Sequence, residues 1–146
     1  MSRSWPASMP TVGSGPGLVI DASALVYGLL GTDSGADAVR TRIAGTTLHA
    51  PHLIHAEVGN VLRRHERAGK LSAVEGAMTL GIAGRLVRHL YPHTDVLAQD
   101  AWALRGNLSF YDALYVALAA RLGLALLTCD NRLANAPGIT CVIEVV

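Results

Sequence analysis

Apolar and polar positions alternate along this chain in blocks that predict strands separated by helices. Two segments, Leu18–Asp21 and Leu124–Cys129, are almost wholly apolar and predict buried strands. Thr47–Ala50, Leu86–Tyr91 and Thr140–Val145 predict three more strands. Apolar strands separated by helices are typical of a parallel sheet that is covered on both faces. The pattern therefore predicts an α/β fold.

The segments between the strands carry start and stop signals of helices. Ser34, Ser72, Thr94 and Ser109 are the predicted N-caps, and Gly123 is one of several glycines that follow a helical segment. Ser72 also has the spacing of a capping box, with a glutamate three positions later. The predicted helices are Ser23–Leu30, Ser34–Ala44, Pro51–Ala68, one that begins after Ser72, one from Thr94 to about Leu104, and Phe110–Leu122.

Length and composition fit one domain with a hydrophobic core. The chain has 146 residues, of which 51% are apolar and 16% charged, as expected of a globular protein. Residues 1–16 are rich in serine, proline and glycine and predict a flexible tail, so the predicted domain is 17–146. The net charge of +1 gives no general attraction for nucleic acid. If the partner is a nucleic acid, contact with it has to be local or assisted by a bound metal.

Two further features limit where and how the chain acts. The apolar stretches are too short for a membrane span, and Arg3 is not followed by the apolar core of a signal peptide, so the expected location is the cytoplasm. Cys129 and Cys141 have neither CxxC nor zinc-site spacing. We expect both to be reduced residues within predicted strands.

Four acidic residues lie where a charge is difficult to accommodate. Asp21 and Asp130 each end an apolar run, Asp112 lies within an apolar helix, and Glu57 stands on a mostly apolar helix. A carboxylate beside a core is costly unless it is paired, hydrogen-bonded or bound to a cation. Lysine and arginine are scarce in these segments, which favours a metal ion. Asp21 and Asp130 also follow parallel strands, whose carboxyl ends form the edge where ligands bind.

The type of ligand indicates the type of metal. Mg²⁺ prefers oxygen ligands and keeps several waters, whereas zinc favours histidine and thiolate. A hard cation can activate water and neutralise charge on a phosphodiester. Four scattered acids do not by themselves identify such a site, because most proteins of this size contain them. The local sequences around these four acids are more informative.

Those local sequences resemble the motifs of the PIN-domain ribonucleases, most closely the VapC toxins of type II toxin–antitoxin modules. The similar segments occur in the family's order and span roughly residues 17–146. The resemblance implies a three-layer α/β/α sandwich with a short, mostly parallel sheet. It also implies cleavage of RNA by an endonuclease that depends on Mg²⁺ or Mn²⁺. The segments are LVIDAS at 18–23, HAEVGNVL at 55–62, LSFYDALYVALA at 108–119 and LLTCDNRL at 126–133.

The resemblance assigns catalytic and metal-binding roles to the four acids. Asp21 and Asp112 are expected to hold the metal most directly, and Glu57 and Asp130 to complete the pocket through water or a second ion. A metal-activated water would then attack phosphorus in line. The products would carry 5′-phosphate and 3′-hydroxyl ends.

Four polar residues are expected to contact a ligand carboxylate or the substrate. Ser23 and Thr128 match hydroxyl positions of the family, two residues from Asp21 and from Asp130. Ser23 is equally open to interpretation as a simple N-cap. Asn60 is the third, and Arg132 the fourth, which its position beside Asp130 directs toward the RNA backbone.

Partners and rival functions complete the predictions. The resemblance implies a homodimer and a small VapB-like antitoxin. The basic stripe Arg63, Arg67 and Lys70 is open between phosphate contact and a solvated helix face. Rival interpretations are a metal-free ribonuclease using two histidines as acid and base, an inactive PIN-like binding module, and phosphoryl transfer through a strand-end aspartate.

Overall fold

The computed structural model describes residues 16–146, where five strands are separated by one or two helices each, seven helices in all. The strands are β1 (Gly17–Ile20), β2 (Thr47–Pro51), β3 (Val87–Tyr91), β4 (Leu126–Thr128) and β5 (Ile143–Val145). The helices are α1 (Ala22–Leu30), α2 (Ser34–Ile43), α3 (Leu53–Arg67), α4 (Ala73–Leu86), α5 (Asp95–Ala103), α6 (Phe110–Leu122) and α7 (Asn131–Asn135). The predicted tail, residues 1–16, lies outside the described residues except for Pro16.

The five strands form one parallel sheet in the order β3-β2-β1-β4-β5. Connections between parallel strands are right-handed, so α1–α4, which precede β2 and β3, cover one face. The chain then reverses direction across the sheet, and α5–α7 cover the other face. The predicted α/β/α sandwich is confirmed, and every strand pairing is parallel. The reversal separates the connections after β1 and β4, which opens a crevice at their carboxyl ends.

The core lies on both faces of the central strands. Leu18, Val19 and Ile20 of β1 are fully buried, as are Leu126 and Leu127 of β4. On α6 every side chain from 113 to 119 is buried, so this helix is enclosed all round rather than along one stripe. An enclosed helix gives the residues in its first turn a fixed position over the sheet edge.

Several helix boundaries agree with their sequence signals. Ser72 forms the predicted capping box with Glu75, and the Ser109 hydroxyl accepts from the amide of Asp112. Gly123 ends α6 in the left-handed region, with φ 66°, which glycine adopts without a Cβ clash. Thr94 is the N-cap of α5, although its side chain forms no capping hydrogen bond.

Other boundaries differ from prediction for identifiable reasons. The N-cap of α2 is Asp33, whose carboxylate accepts from the amide of Ala36, rather than Ser34. Helix α3 begins at Leu53 because Pro51 still belongs to β2, where it pairs with Tyr91. The five-residue α7 was not predicted, since it is too short to show a helical period.

Strands β4 and β5 are shorter than predicted, which changes the position of the cysteines. Cys129 and Cys141 both lie outside strands, although both are free thiols as expected. Among the described helices, none is long and apolar enough to cross a membrane.

Candidate active site

The four acids predicted from sequence line a single pocket of about 240 Å³ at the carboxyl edge of the sheet. We call it the acidic pocket. Asp21 directly follows β1 and Asp130 lies two residues after the end of β4, while Glu57 is supplied by α3 and Asp112 by the first turn of α6. Four separate elements therefore place carboxylates in the same space.

Asp21 is held by three hydrogen bonds. Its Oδ1 accepts from the Ala24 amide at 2.9 Å and from the Ser23 hydroxyl at 2.6 Å. Its Oδ2 accepts from the Thr128 hydroxyl at 2.5 Å. Asp21 itself is thus the N-cap of α1, and the interpretation of Ser23 as that N-cap is wrong. The bonds fix the direction of a carboxylate that is only 9% exposed.

The hydroxyls of Thr128 and Ser23 also join the two central strand ends. Thr128 Oγ1 accepts from the amide of Asp130 at 3.0 Å, and Ser23 Oγ accepts from the amide of Cys129 at 3.2 Å. Each hydroxyl therefore donates to Asp21 and accepts from the chain after β4. This arrangement couples the positions of Asp21 and Asp130.

Glu57 has a buried partner that sequence reasoning missed. The Tyr115 hydroxyl donates to Glu57 Oε1 at 2.7 Å, and Tyr115 is 2% exposed. Tyr115 is one of the buried residues of α6. Its spacing was the available signal, because a residue three positions after Asp112 on a helix faces the same side.

Asp130 forms a bidentate salt bridge with Arg132. The guanidinium nitrogens Nε and Nη2 donate to Asp130 Oδ1 and Oδ2 at 3.0 and 2.9 Å. The Arg132 side chain is 90% exposed and that of Asp130 26%. The expectation that basic residues are too scarce to pair these acids is therefore wrong for Asp130. In this conformation Arg132 contacts Asp130.

The other three carboxylates of the acidic pocket form no salt bridge with a described residue and have raised pKa values. Burial raises the pKa of Asp21, Glu57 and Asp112 above their ordinary values, and hydrogen bonds partly offset that effect. The charge of Asp112 further raises the pKa of both Asp21 and Glu57. The guanidinium of Arg132 instead lowers the pKa of Asp130. The acidic pocket is a place where bound positive charge is favourable.

The chemistry of the pocket fits a hard, hydrated cation. The acidic side chains that line it are four carboxylates, and neither histidine nor cysteine lines it. Within the described part of the chain, no three acidic, histidine or cysteine side chains are close enough to form a complete set of direct ligands. Mg²⁺ keeps several of its waters and is held by one or two protein carboxylates, so this spacing is compatible with it.

Polar residues of α3 complete the wall of the pocket. Asn60 and Arg64 line it on the same helix face as Glu57, because they follow Glu57 by three and by seven residues. Among the described residues Arg64 forms no salt bridge with Glu57. Arg63, Arg67 and Lys70, the predicted basic stripe, do not line the acidic pocket.

Comparison with known proteins places this geometry in a family. The PIN domain model matches residues 18–139. Ribonuclease VapC1 of Mycobacterium tuberculosis is 43% identical over 128 residues, which are 88% of this chain and 96% of the relative. VapC ribonuclease Mb0985 of Mycobacterium bovis is 42% identical over 129 residues, which are 88% of this chain and 98% of the relative.

Solved structures show the same fold. PAE2754 from Pyrobaculum aerophilum superposes with a TM-score of 0.63 at 28% identity, covering 88% of this chain and 89% of that one. VapBC2 from Rickettsia felis, bound to a DNA fragment from its promoter, gives a TM-score of 0.66 over 89% of this chain and 98% of that one. Its identity of 13% supports similarity of fold alone.

Proposed function

This chain belongs to the PIN domain family and, within it, to the VapC ribonucleases, and from that premise we propose that it is a metal-dependent endoribonuclease. It would act as the toxin of a type II toxin–antitoxin pair. The observation that carries the proposal is the acidic pocket, where carboxylates from four elements meet at the carboxyl edge of the sheet. Such a site suits the cleavage of a negatively charged phosphodiester only if a cation is present.

In this proposal Asp21 and Asp112 would hold Mg²⁺ or Mn²⁺ most directly, and Glu57 and Asp130 would complete the site through water or a second ion. When bound, the ion supplies neutralisation of phosphate charge and acidification of a water molecule. The chain's own residues set the geometry. Thr128 and Ser23 orient the Asp21 carboxylate, and Tyr115 orients that of Glu57.

Two basic residues are suited to contact the RNA backbone. In the complex with RNA, the Arg132 guanidinium leaves Asp130 and binds a substrate phosphate. The Arg132 side chain is exposed, so a phosphate can reach it. Arg64 lies on the α3 wall of the acidic pocket and can bind an adjacent phosphate. The total charge of +1 makes these local contacts more important than general attraction.

The rival ribonuclease mechanism, with two histidines as acid and base, finds little support. None of the histidines lines the acidic pocket. His49 is fully buried and stacks on His89, with ring centroids 4.7 Å apart, so His49 cannot reach a substrate. A metal-free reaction would require a pair of exposed histidines facing one phosphodiester.

We also propose the partners that this family implies, a VapB-like antitoxin and a second copy of the chain. A helix face that is apolar and exposed supports a protein-binding surface. On α4, the side chains of Val74, Met78 and Ile82 are 70%, 63% and 38% exposed, at intervals of four residues. Action on cellular RNA would place the protein in the cytoplasm.

One experiment tests the enzymatic proposal. The purified protein and its Asp112→Asn variant are incubated with total RNA in Mg²⁺ or in EDTA, and the new 5′ ends are sequenced. We expect discrete cleavage by the wild type in Mg²⁺ only, with 5′-phosphate ends. Cleavage that persists in EDTA, or equally in the variant, would refute the metal mechanism. An inert wild type would favour the inactive binding module.

A further inference from the structure

A second, larger cavity adjoins the acidic pocket. It has a volume of about 790 Å³ and runs between α1 and the C-terminal half of α3, and we call it the α1–α3 groove. Ser23, Val61 and Arg64 line both cavities, so the groove lies directly beside the acidic pocket. One wall is formed by the α1 side chains Tyr27 and Leu30. A polymer bound at the acidic pocket can therefore extend past these shared residues into the groove.

The groove combines an apolar wall with unpaired positive charge. Arg64, His65 and Lys70 contribute basic side chains to its lining. Within the described part of the chain, neither Arg64 nor Lys70 forms a salt bridge. The acid in the lining, Glu75, already accepts from the amide of Ser72 in the capping box of α4. The cations are consequently available to an anionic ligand.

One aromatic residue of the groove has a fixed position. The Tyr27 hydroxyl donates to Asp33 Oδ1 at 2.5 Å, which anchors the ring at the wall. Base stacking on aromatic side chains, beside cations that follow the phosphates, is the usual means by which proteins bind single-stranded RNA.

We propose that the α1–α3 groove binds the single-stranded stretch of RNA next to the scissile phosphodiester. Arg64 contacts the first phosphate beyond the acidic pocket, Lys70 contacts one further along, and a base packs against Tyr27. This inference rests on the proposed function. The position of the groove beside the acidic pocket and its unpaired cations favour RNA over a protein ligand.

Salt dependence of binding tests the inference without relying on cleavage. Fluorescence anisotropy measures the affinity of a ten-nucleotide, mixed-sequence, fluorescein-labelled RNA in EDTA at several salt concentrations, with gels to verify that the RNA stays intact. For single strands, log K changes with log salt by roughly −0.7 for each phosphate contact. We expect Lys70→Gln to reduce that slope by roughly one such contact and to weaken binding several-fold. The matched control is Arg67→Gln, an exposed cation of α3 that lies outside the groove.

A second variant addresses the aromatic wall. Tyr27→Leu is expected to weaken binding without changing the salt slope, because it removes stacking but no charge. Thermal unfolding of each variant shows whether it is folded. An unchanged slope and affinity in folded Lys70→Gln would overturn the inference. Cleavage assays on the same samples separate the two proposals: a wild type that cleaves RNA while Lys70→Gln binds normally refutes only the groove.

Discussion

The hydroxyl of Tyr115 donates a hydrogen bond of 2.7 Å to Oε1 of Glu57, connecting the core to the acidic pocket. Tyr115 lies on the enclosed helix α6 and is 2% exposed, whereas Glu57 is partly exposed on α3. The buried ring cannot follow movements of the carboxylate. Tyr115 is therefore a positioning residue for Glu57.

We predict that Tyr115→Phe lowers RNA cleavage roughly tenfold, as loss of a contact that orients a ligand commonly does. The hydrogen bond lowers the pKa of Glu57, so its removal raises that pKa further. Glu57 is then ionised only at higher pH, so the acidic limb of the pH–rate profile shifts to higher pH. The exposed Tyr111 supplies the control Tyr111→Phe, which should leave the profile in place. Equal profiles for wild type and Tyr115→Phe would contradict a positioning role.

Asp112→Asn should separate activity from stability. In the wild type the pKa of the Asp112 carboxyl is raised in the folded state, mainly by burial. The stability that Asp112 contributes is therefore greatest at low pH and is lost as pH rises through that pKa. At pH 7 the neutral amide should increase the urea midpoint, while cleavage falls on the order of a hundredfold. The control Glu66→Gln replaces an exposed acid of α3. A lower midpoint for Asp112→Asn would show that its charge stabilises the fold.

The same variant reports on metal binding without an activity assay. Addition of Mg²⁺ stabilises any protein that binds it in the folded state only, in proportion to the logarithm of its concentration. We expect Mg²⁺ to raise the melting temperature of the wild type and to raise that of Asp112→Asn much less. An equal rise in both proteins would place the ion elsewhere.

Arg132→Gln should have opposite effects on metal and RNA. Arg132 occupies both oxygens of Asp130, so its removal frees that carboxylate and reduces the Mg²⁺ concentration needed for half-maximal thermal shift. Affinity for RNA should fall, because the phosphate contact proposed for Arg132 would be lost. Stability should change little, since the Arg132 side chain is 90% exposed. Arg105→Gln, a cation stacked on Trp102, is the control; identical metal titrations for both variants would contradict the competition.

Sequence patterns predicted the fold because its determinants are local. The short apolar run Leu18–Ile20, which ends at Asp21, indicates a buried strand, and Gly123 provides the left-handed end that α6 requires. Placing Asp21 and Asp130 at one edge needed only the rule that sites form where parallel strands end. This reasoning gathered both acids without knowledge of any contact.

Contacts that depend on side-chain direction were not predictable in the same way. The partners of Glu57 and Asp130 are Tyr115 and Arg132, and each choice depends on packing that a linear pattern does not contain. Likewise, Pro51 remains in β2 because of its pairing with Tyr91, which is forty residues away in a strand predicted independently. Local propensity favoured a helix start there.

His49 should make stability depend on pH. Burial, with a smaller effect from His89, lowers its pKa from 6.5 to about 4, and its Nε2 has no described hydrogen-bond partner. Between pH 6.5 and pH 4 the unfolded chain binds a proton at His49 that the folded chain does not bind. The contribution of neutral His49 to the free energy of unfolding is therefore fully present above pH 6.5 and is lost as pH falls toward 4. From pH 7.5 to pH 5 this loss is about 2 kcal/mol. Urea unfolding measures the free energy of unfolding at pH 7.5 and at pH 5. The difference between the two values should be smaller in His49→Phe than in the wild type by that amount, and an unchanged difference would mean that other groups cause the pH dependence.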